Sequence, residues 1–283
     1  MKQSPVWLIT GVSSGLGKEL AKAVHQAGYV LIGTVRNEAD QQTFDQTFPN
    51  QSQSFVLDLR NSQQVVSMIE AVRDRFGRID ALVNNAGYGL LGFVEEVNEN
   101  ELHQQFNINF VAAWKMIQQV LPLMRLQQSG LIIQISSRVG LVANAGGGIY
   151  AASKFALEGL SEALQQEVAP FGINVMLVEP GPLRTNFFGR SVVLAQHRVE
   201  DYYSVLADYR QISQQADGHQ DGDPSKAARI ILEATQLEQP PFRLPLSQAT
   251  LDSMQAKITA YQQTVAAWSS QAASISIKRY ASE

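Results

Sequence analysis

Three side chains able to move a proton fall within residues 137–154: the Ser137 hydroxyl, the Tyr150 phenol and the Lys154 ammonium. Tyr150 and Lys154 are i and i+4, so on a helix they stand side by side on one face. A free phenol has a pKa of about 10 and is a poor base at neutral pH, whereas a neighbouring cation favours the phenolate and draws that value toward the working range. A tyrosine so placed can act as general acid or base. Taken alone, the pair equally describes a surface contact worth a few tenths of a kcal/mol. The surrounding elements decide between the two.

Residues 132–135 are an apolar, β-branched run ending at Ser136 and Ser137, and Phe155, Leu157, Leu160, Leu164 and Val168 recur at helical spacing. Ser137 is therefore expected at a strand end and Tyr150 at a helix start. Residues 6–9 predict a buried parallel strand feeding Thr10, Gly11, Val12, Ser13, Ser14, Gly15, Leu16 and Gly17, then a helix to about residue 27. Glycines there permit a tight turn and close backbone approach, while free N–H groups and the helix dipole stabilise a phosphate. The spacing Gly-x-x-x-Gly-x-Gly departs from Gly-x-Gly-x-x-Gly, and Glu19 after Gly17-Lys18 rules out a Walker loop. An ordinary glycine-rich turn is the other reading; the position after the first strand favours a cofactor site.

Residues 29–34 predict a second strand followed by Val35, Arg36 and Asn37. An acidic residue there would bind the adenosine 2′-hydroxyl of NAD; Arg36 instead favours the 2′-phosphate of NADP, with Ser13 as a second contact, unless Arg36 is simply a solvated loop residue. Residues 55–57 predict a third strand ending at Asp58 and Leu59, where the carboxylate either accepts from an adenine amino group or caps local backbone. A fourth strand over 81–83 runs into Asn84, Asn85, Ala86 and Gly87, residues suited to close ligand approach or to a plain turn. Helical spacing over 101–126, broken by Pro122, carries Asn109 mid-helix, either as a buried amide with a local backbone or water role or as a satisfied exposed polar residue. A sixth strand over 173–178 ends in Glu179, Pro180, Gly181 and Pro182 and leads past Leu183 to Thr185. Strands alternating with helices imply an α/β fold: a doubly wound, Rossmann-type parallel sheet with helices on both faces, in a single domain over 1–283, with ligands at the carboxyl ends of the strands.

Beyond Thr185 the periodicity loosens. Phe187, Phe188, Tyr202, Tyr203, Leu206 and Tyr209 mark 183–222 as either core or a substrate lid, 242–246 as a last strand, and 247–283 as a helical extension. A net charge of −4 without a basic run argues against nucleic acid and anionic membrane as partners. No apolar stretch spans a bilayer, and residues 1–3 lead directly toward the first strand, so the expected location is cytoplasmic. The chain has no cysteine, and its histidines, His25, His103, His197 and His219, are scattered; no metal is expected.

Together Thr10-Gly-x-x-x-Gly-x-Gly17, Asp58, Asn84-Asn-Ala-Gly87, Asn109, Ser137, Tyr150-x-x-x-Lys154 and Pro180-Gly181 resemble the short-chain dehydrogenase/reductase family over roughly residues 6–185. Ser137 lies thirteen residues before Tyr150, the family's spacing. The resemblance implies that Tyr150 is the general acid or base, that Lys154 lowers its pKa and binds the nicotinamide ribose, and that Ser137 hydrogen-bonds the substrate oxygen. It also implies that Asn109 holds a water in a relay ending at Lys154, and that Pro180, Gly181, Leu183 and Thr185 flank the nicotinamide. Tyr88-Gly-Leu-Leu-Gly92 and Phe155-Ala-Leu-Glu-Gly159 look most like 17β-hydroxysteroid and retinol dehydrogenase-like members. The expected activity is an NADP(H)-dependent interconversion of alcohol and ketone or aldehyde on a small, rather apolar substrate. A cofactor-sensing protein without turnover is the alternative, and a homo-oligomer, dimer or tetramer, is the assembly the resemblance implies.

Overall fold

The computed structural model describes residues 4–276. The expectations for residues 1–3 and for the last seven residues of the C-terminal extension lie outside the described residues. Among the described residues nine strands, β1 (Val6–Thr10), β2 (Val30–Val35), β3 (Ser52–Val56), β4 (Ala81–Asn84), β5 (Gly89–Leu91), β6 (Gly130–Ile135), β7 (Ile173–Pro180), β8 (Val192–Leu194) and β9 (Arg243–Leu246), form two sheets. Seven of them pair in the order β3-β2-β1-β4-β6-β7-β9, while β5 and β8 form a separate two-stranded ribbon. The helices are α1 (Gly15–Gln26), α2 (Glu38–Thr47), α3 (Ser62–Phe76), α4 (Glu99–Phe106), α5 (Ala112–Gln127), α6 (Gly148–Val168), α7 (Glu200–Tyr203), α8 (Tyr209–Ala216), α9 (Pro224–Thr235) and α10 (Gln248–Ser274).

All pairings are parallel. A parallel sheet needs both faces covered, and β1 shows how the sequence provides for that. Trp7 and Ile9 face the core shared with α1 and α9, whereas Val6 and Leu8 face the core shared with α3, α5 and α6. The chain reverses direction in the sheet order between β1 and β4, which opens the crevice where doubly wound folds bind ligands.

One helix is added to the sequence reading and three expectations are corrected. Segment 38–47 forms α2, although its only buried side chain is Phe44, so its apolar periodicity is faint. The third strand runs over Ser52–Val56, because its pairing partner is β2 backbone and needs no apolar run. The helix expected over 101–126 is α4 and α5 joined by a π-helical turn, Asn107–Val111. Pro122 does not break α5: it and Gln118, whose carbonyl loses its helical partner there, lie on the exposed face, where that carbonyl need not be buried unpaired. Among the described residues no helix is long and apolar enough to cross a membrane.

Candidate active site

A cavity of about 930 Å³ opens over the carboxyl ends of the strands, floored by the loops after β1, β2, β4, β6 and β7. At its first end lies the glycine-rich turn. Gly11 and Gly15 take left-handed backbone with φ of 71° and 57°. A Cβ on Gly11 would stand 3.1 Å from the Ala86 Cα, so only glycine lets the turn lie against the loop after β4. Thr10 sits beneath, its hydroxyl accepting from the N–H groups of Asn85 and Ala86 at 3.0 Å each. Asn85 Nδ2 donates to the carbonyls of Thr10 (2.8 Å) and Gly11 (3.0 Å). Ser14 precedes α1 in extended conformation without a side-chain cap, which leaves the first N–H groups of that helix directed at the cavity as an anion site.

At the other end stand Ser137, Tyr150 and Lys154, all on the cavity wall. Ser137 follows β6 in extended backbone, its hydroxyl accepting from Val139 N at 3.3 Å. Tyr150 lies in the first turn of α6, and one turn later Lys154 donates from Nζ to the Ile135 carbonyl at 2.8 Å. Burial pulls Lys154 down to about 8, opposed by the Glu158 charge. The same burial pushes Tyr150 up to about 12, with a Ser137 hydrogen bond opposing it. Burial is the larger of the two influences on the phenol, and the Ser137 hydrogen bond opposes it.

Asn109 lies behind this wall. Its Oδ1 accepts from Tyr88 N (3.1 Å), while Nδ2 donates to the Tyr88 carbonyl (2.9 Å) and to Ser153 Oγ (3.2 Å). One turn earlier Gln105 brackets the same strand, accepting from Leu90 N at 2.7 Å and donating to the Tyr88 carbonyl at 3.0 Å. A Cβ on Gly87 would fall 3.0 Å from Asn109 Oδ1 and 3.8 Å from Lys154 Nζ, so Gly87 is the gap through which amide and ammonium approach. The π-helical turn widens the helix at this point, a distortion common at functional sites. The partners of Asn109 are thus the Tyr88 backbone, 21 residues away, and the Ser153 hydroxyl.

Behind Lys154, away from the cavity, Arg243 of β9 holds Glu158 and Glu179 from one nitrogen at 2.5 Å each and reaches Glu162 at 2.6 Å from the other. Burial raises Glu158 above the ordinary carboxylate range, against opposing contributions from Ser136, Arg243 and Lys154. Glu179 is pushed up to about 7 by burial and then by the Glu158 charge.

Segment 187–216 lies across the cavity mouth. Phe187 approaches Tyr150 with ring centroids 6.1 Å apart, and β8 pairs with β5. Its tether is Glu96, which accepts from Phe93 N (2.9 Å), Val199 N (2.9 Å), Tyr209 Oη (2.7 Å) and Tyr203 Oη (3.3 Å). Phe93 stacks on Tyr202 and meets Tyr203 and Tyr209 edge-on, so these aromatics pack as a small satellite core.

Most residues selected from sequence line the one cavity: Gly11, Ser13, Ser14, Gly15, Leu16, Arg36, Asp58, Leu59, Asn85, Ala86, Gly87, Pro180, Gly181, Leu183 and Thr185 join the three proton-handling side chains. Thr10, Gly17 and Asn109 do not; they brace it from behind. Arg36 is exposed at the rim. Asp58 is engaged by Arg60, whose Nη2 reaches it at 2.6 Å and whose N–H reaches it at 2.9 Å, so the local use of this carboxylate is the one present. Sequence reasoning missed Glu96, Gln105 and Arg243, and only Glu179, a carboxylate closing an apolar strand run, carried a visible signal.

Residues 5–193 match the family model described as short chain dehydrogenase. The chain is similar to a 3-ketodihydrosphingosine reductase of Bacteroides thetaiotaomicron, 37% identical over 85% of this chain and 87% of the relative. It is likewise similar to human 17-beta-hydroxysteroid dehydrogenase type 1, 32% identical over 87% of this chain and 81% of the relative. A short-chain dehydrogenase from Streptomyces avermitilis superposes with a TM-score of 0.90 at 34% identity, over 98% of this chain and all of that one.

Proposed function

The chain belongs to the short-chain dehydrogenase family, and from that membership we propose that it is an NADP(H)-dependent oxidoreductase interconverting an alcohol and a ketone or aldehyde on a rather apolar substrate. The observation that carries the reading is the single cavity that joins the glycine-rich turn to Ser137, Tyr150 and Lys154.

The residues present fit the cofactor. The uncapped start of α1 and the left-handed Gly11 and Gly15 suit a pyrophosphate. Arg36 and Ser13 suit a 2′-phosphate; Leu59, with Asp58 sharing its carboxylate with Arg60, would border the adenine. Ala86, Gly87, Pro180, Gly181, Leu183 and Thr185, which line the cavity, would border the nicotinamide, and Lys154 would hold its ribose. The nicotinamide supplies the hydride, which no side chain can.

In the direction of reduction, Tyr150 Oη donates its proton to the carbonyl oxygen, and burial keeps that phenol protonated until it is used. Ser137 Oγ donates to the same oxygen and fixes its position. Lys154 supplies positive charge beside the phenolate that the transfer leaves, with Asn109 holding the neighbouring backbone in place. Leu90, Leu91, Phe187 and Phe188 give the substrate end an apolar wall. The names of the relatives, a ketone reductase and a hydroxysteroid dehydrogenase, support this substrate class.

Titration of the protein with NADPH and separately with NADH, followed by nicotinamide fluorescence, tests the cofactor assignment. NADPH should bind more tightly, and Arg36→Ala should weaken it by roughly 10- to 100-fold, the worth of a charge-assisted hydrogen bond, while leaving NADH unchanged. Tight NADH binding indifferent to Arg36 would overturn the NADP(H) preference.

A further inference from the structure

The C-terminal helix carries a pattern that the proposed reaction does not use. In α10, Leu251, Met254, Ile258, Tyr261, Val265, Trp268 and Ala272, continued by Ile275, are spaced alternately by three and four residues. This is an unbroken heptad seam, the arrangement by which one helix packs knobs into the holes of another.

The body of the molecule covers only the beginning of that helix. Thr250 is buried, and Lys257 Nζ donates to the Leu141 carbonyl at 2.6 Å and lies 4.6 Å from the Phe155 ring centre. From residue 258 onward every described residue is exposed, so about 25 Å of helix carries its apolar seam without a partner. Tyr261 and Trp268 are 60% and 62% exposed, Val265 66%.

We propose that α10 is a self-association element, its seam packing against the same seam of a second copy of this chain. The charge pattern selects a second copy over other occupants. Asp252 and Lys257 are the only charged residues in the helix, and the positions flanking the seam beyond Lys257 are Gln262, Thr264, Ser269 and Gln271. Flanking charges are what direct a seam to a different partner chain or repel a like one; beyond Lys257, which is held by the Leu141 carbonyl, the helix has neither. A membrane-surface helix would instead place lysine and arginine on its polar face. The surface is adequate for a homodimer: half-exposed aromatic and large aliphatic side chains hold about 100 Å² each. Leu251, Ile258, Tyr261, Val265, Trp268 and Ile275 from two copies then bury roughly 1,200 Å², within the range of stable interfaces. The contact is made by α10 alone.

Because the chain lacks cysteine, single replacements map the contact cleanly. Ile258→Cys, Tyr261→Cys, Val265→Cys and Trp268→Cys lie on the seam, and Gln263→Cys on the outer face. Mild oxidation of the full chain should give a covalent dimer from at least one seam variant and none from Gln263→Cys. In sedimentation the native mass should fall by half in Ile258→Asp/Val265→Asp with the melting temperature retained, since both sites are exposed. Unchanged mass in that variant, or seam cysteines that cross-link no better than Gln263→Cys, would overturn the proposal. So would binding to phosphatidylcholine vesicles that the double variant loses while its mass stays the same.

Discussion

Glu96 and Glu179 are both buried, 1% and 0% exposed, yet their surroundings drive them in opposite directions. Burial works against the charge of each. At Glu96 the N–H groups of Val199 and Phe93 and the hydroxyls of Tyr209 and Tyr203 outweigh burial and hold the carboxyl below its ordinary range. Glu179 has one guanidinium, shared with Glu158 and Glu162, and its Oε2 has no hydrogen-bond partner among the described residues. Burial and the Glu158 charge then win, and it rises to about 7. The number of donors aimed at a carboxylate, more than its depth, decides whether it serves as a fixed staple or as a group that titrates near neutrality. Glu96 is the staple of the segment across the cavity mouth; Glu158 and Glu179 form a titratable backing to Lys154.

Removing the staple should have the largest effect. Glu96→Ala leaves several buried donors unpaired at 1–3 kcal/mol each and should lower unfolding free energy by about 3–5 kcal/mol in urea. Amide exchange should accelerate most in 187–216. A loss under about 1 kcal/mol, with exchange unchanged there, would break the contrast. For Glu179 the sign follows from a folded pKa raised from 4.5 to about 7: its contribution to stability is complete below 4.5 and is lost as the pH rises through about 7. Across that window wild type should lose up to roughly 3 kcal/mol relative to Glu179→Gln, read from unfolding at a series of pH values. A parallel pH dependence of the two proteins would show that Glu179 remains ionised. The smallest effect is expected at Glu158, whose charge raises Lys154. Glu158→Gln should move the Lys154 limb of the kcat/KM profile below about 8, by roughly half to one pH unit. A limb moving upward would mean that Glu158 acts there other than by its charge.

Much of this site was legible before any coordinates because its demands are local. Gly11 and Gly15 announce left-handed backbone, Tyr150 and Lys154 share a helix face by spacing alone, and the strand runs 6–9, 81–83, 132–135 and 173–178 are apolar because both faces of a parallel sheet are covered. Contacts made across long separations were not legible. Glu96 meets Val199, Tyr203 and Tyr209 more than a hundred residues away, and Arg243 meets Glu158 and Glu179 from the last strand. The π-helical turn at Asn109 escaped notice because it disturbs the apolar period by a single residue. Adjacency of Tyr150 and Lys154 is visible in a sequence, whereas the burial that acts on both groups is not.

The most direct test of the chemistry is turnover of NADPH with a panel of apolar ketones and aldehydes by wild type and Tyr150→Phe, with NADPH binding measured on both. Loss of the positioned acid should reduce kcat by about 10²- to 10⁴-fold while NADPH affinity is retained. Turnover by Tyr150→Phe at the wild-type rate, with binding intact, would contradict the assignment of Tyr150 as the proton donor.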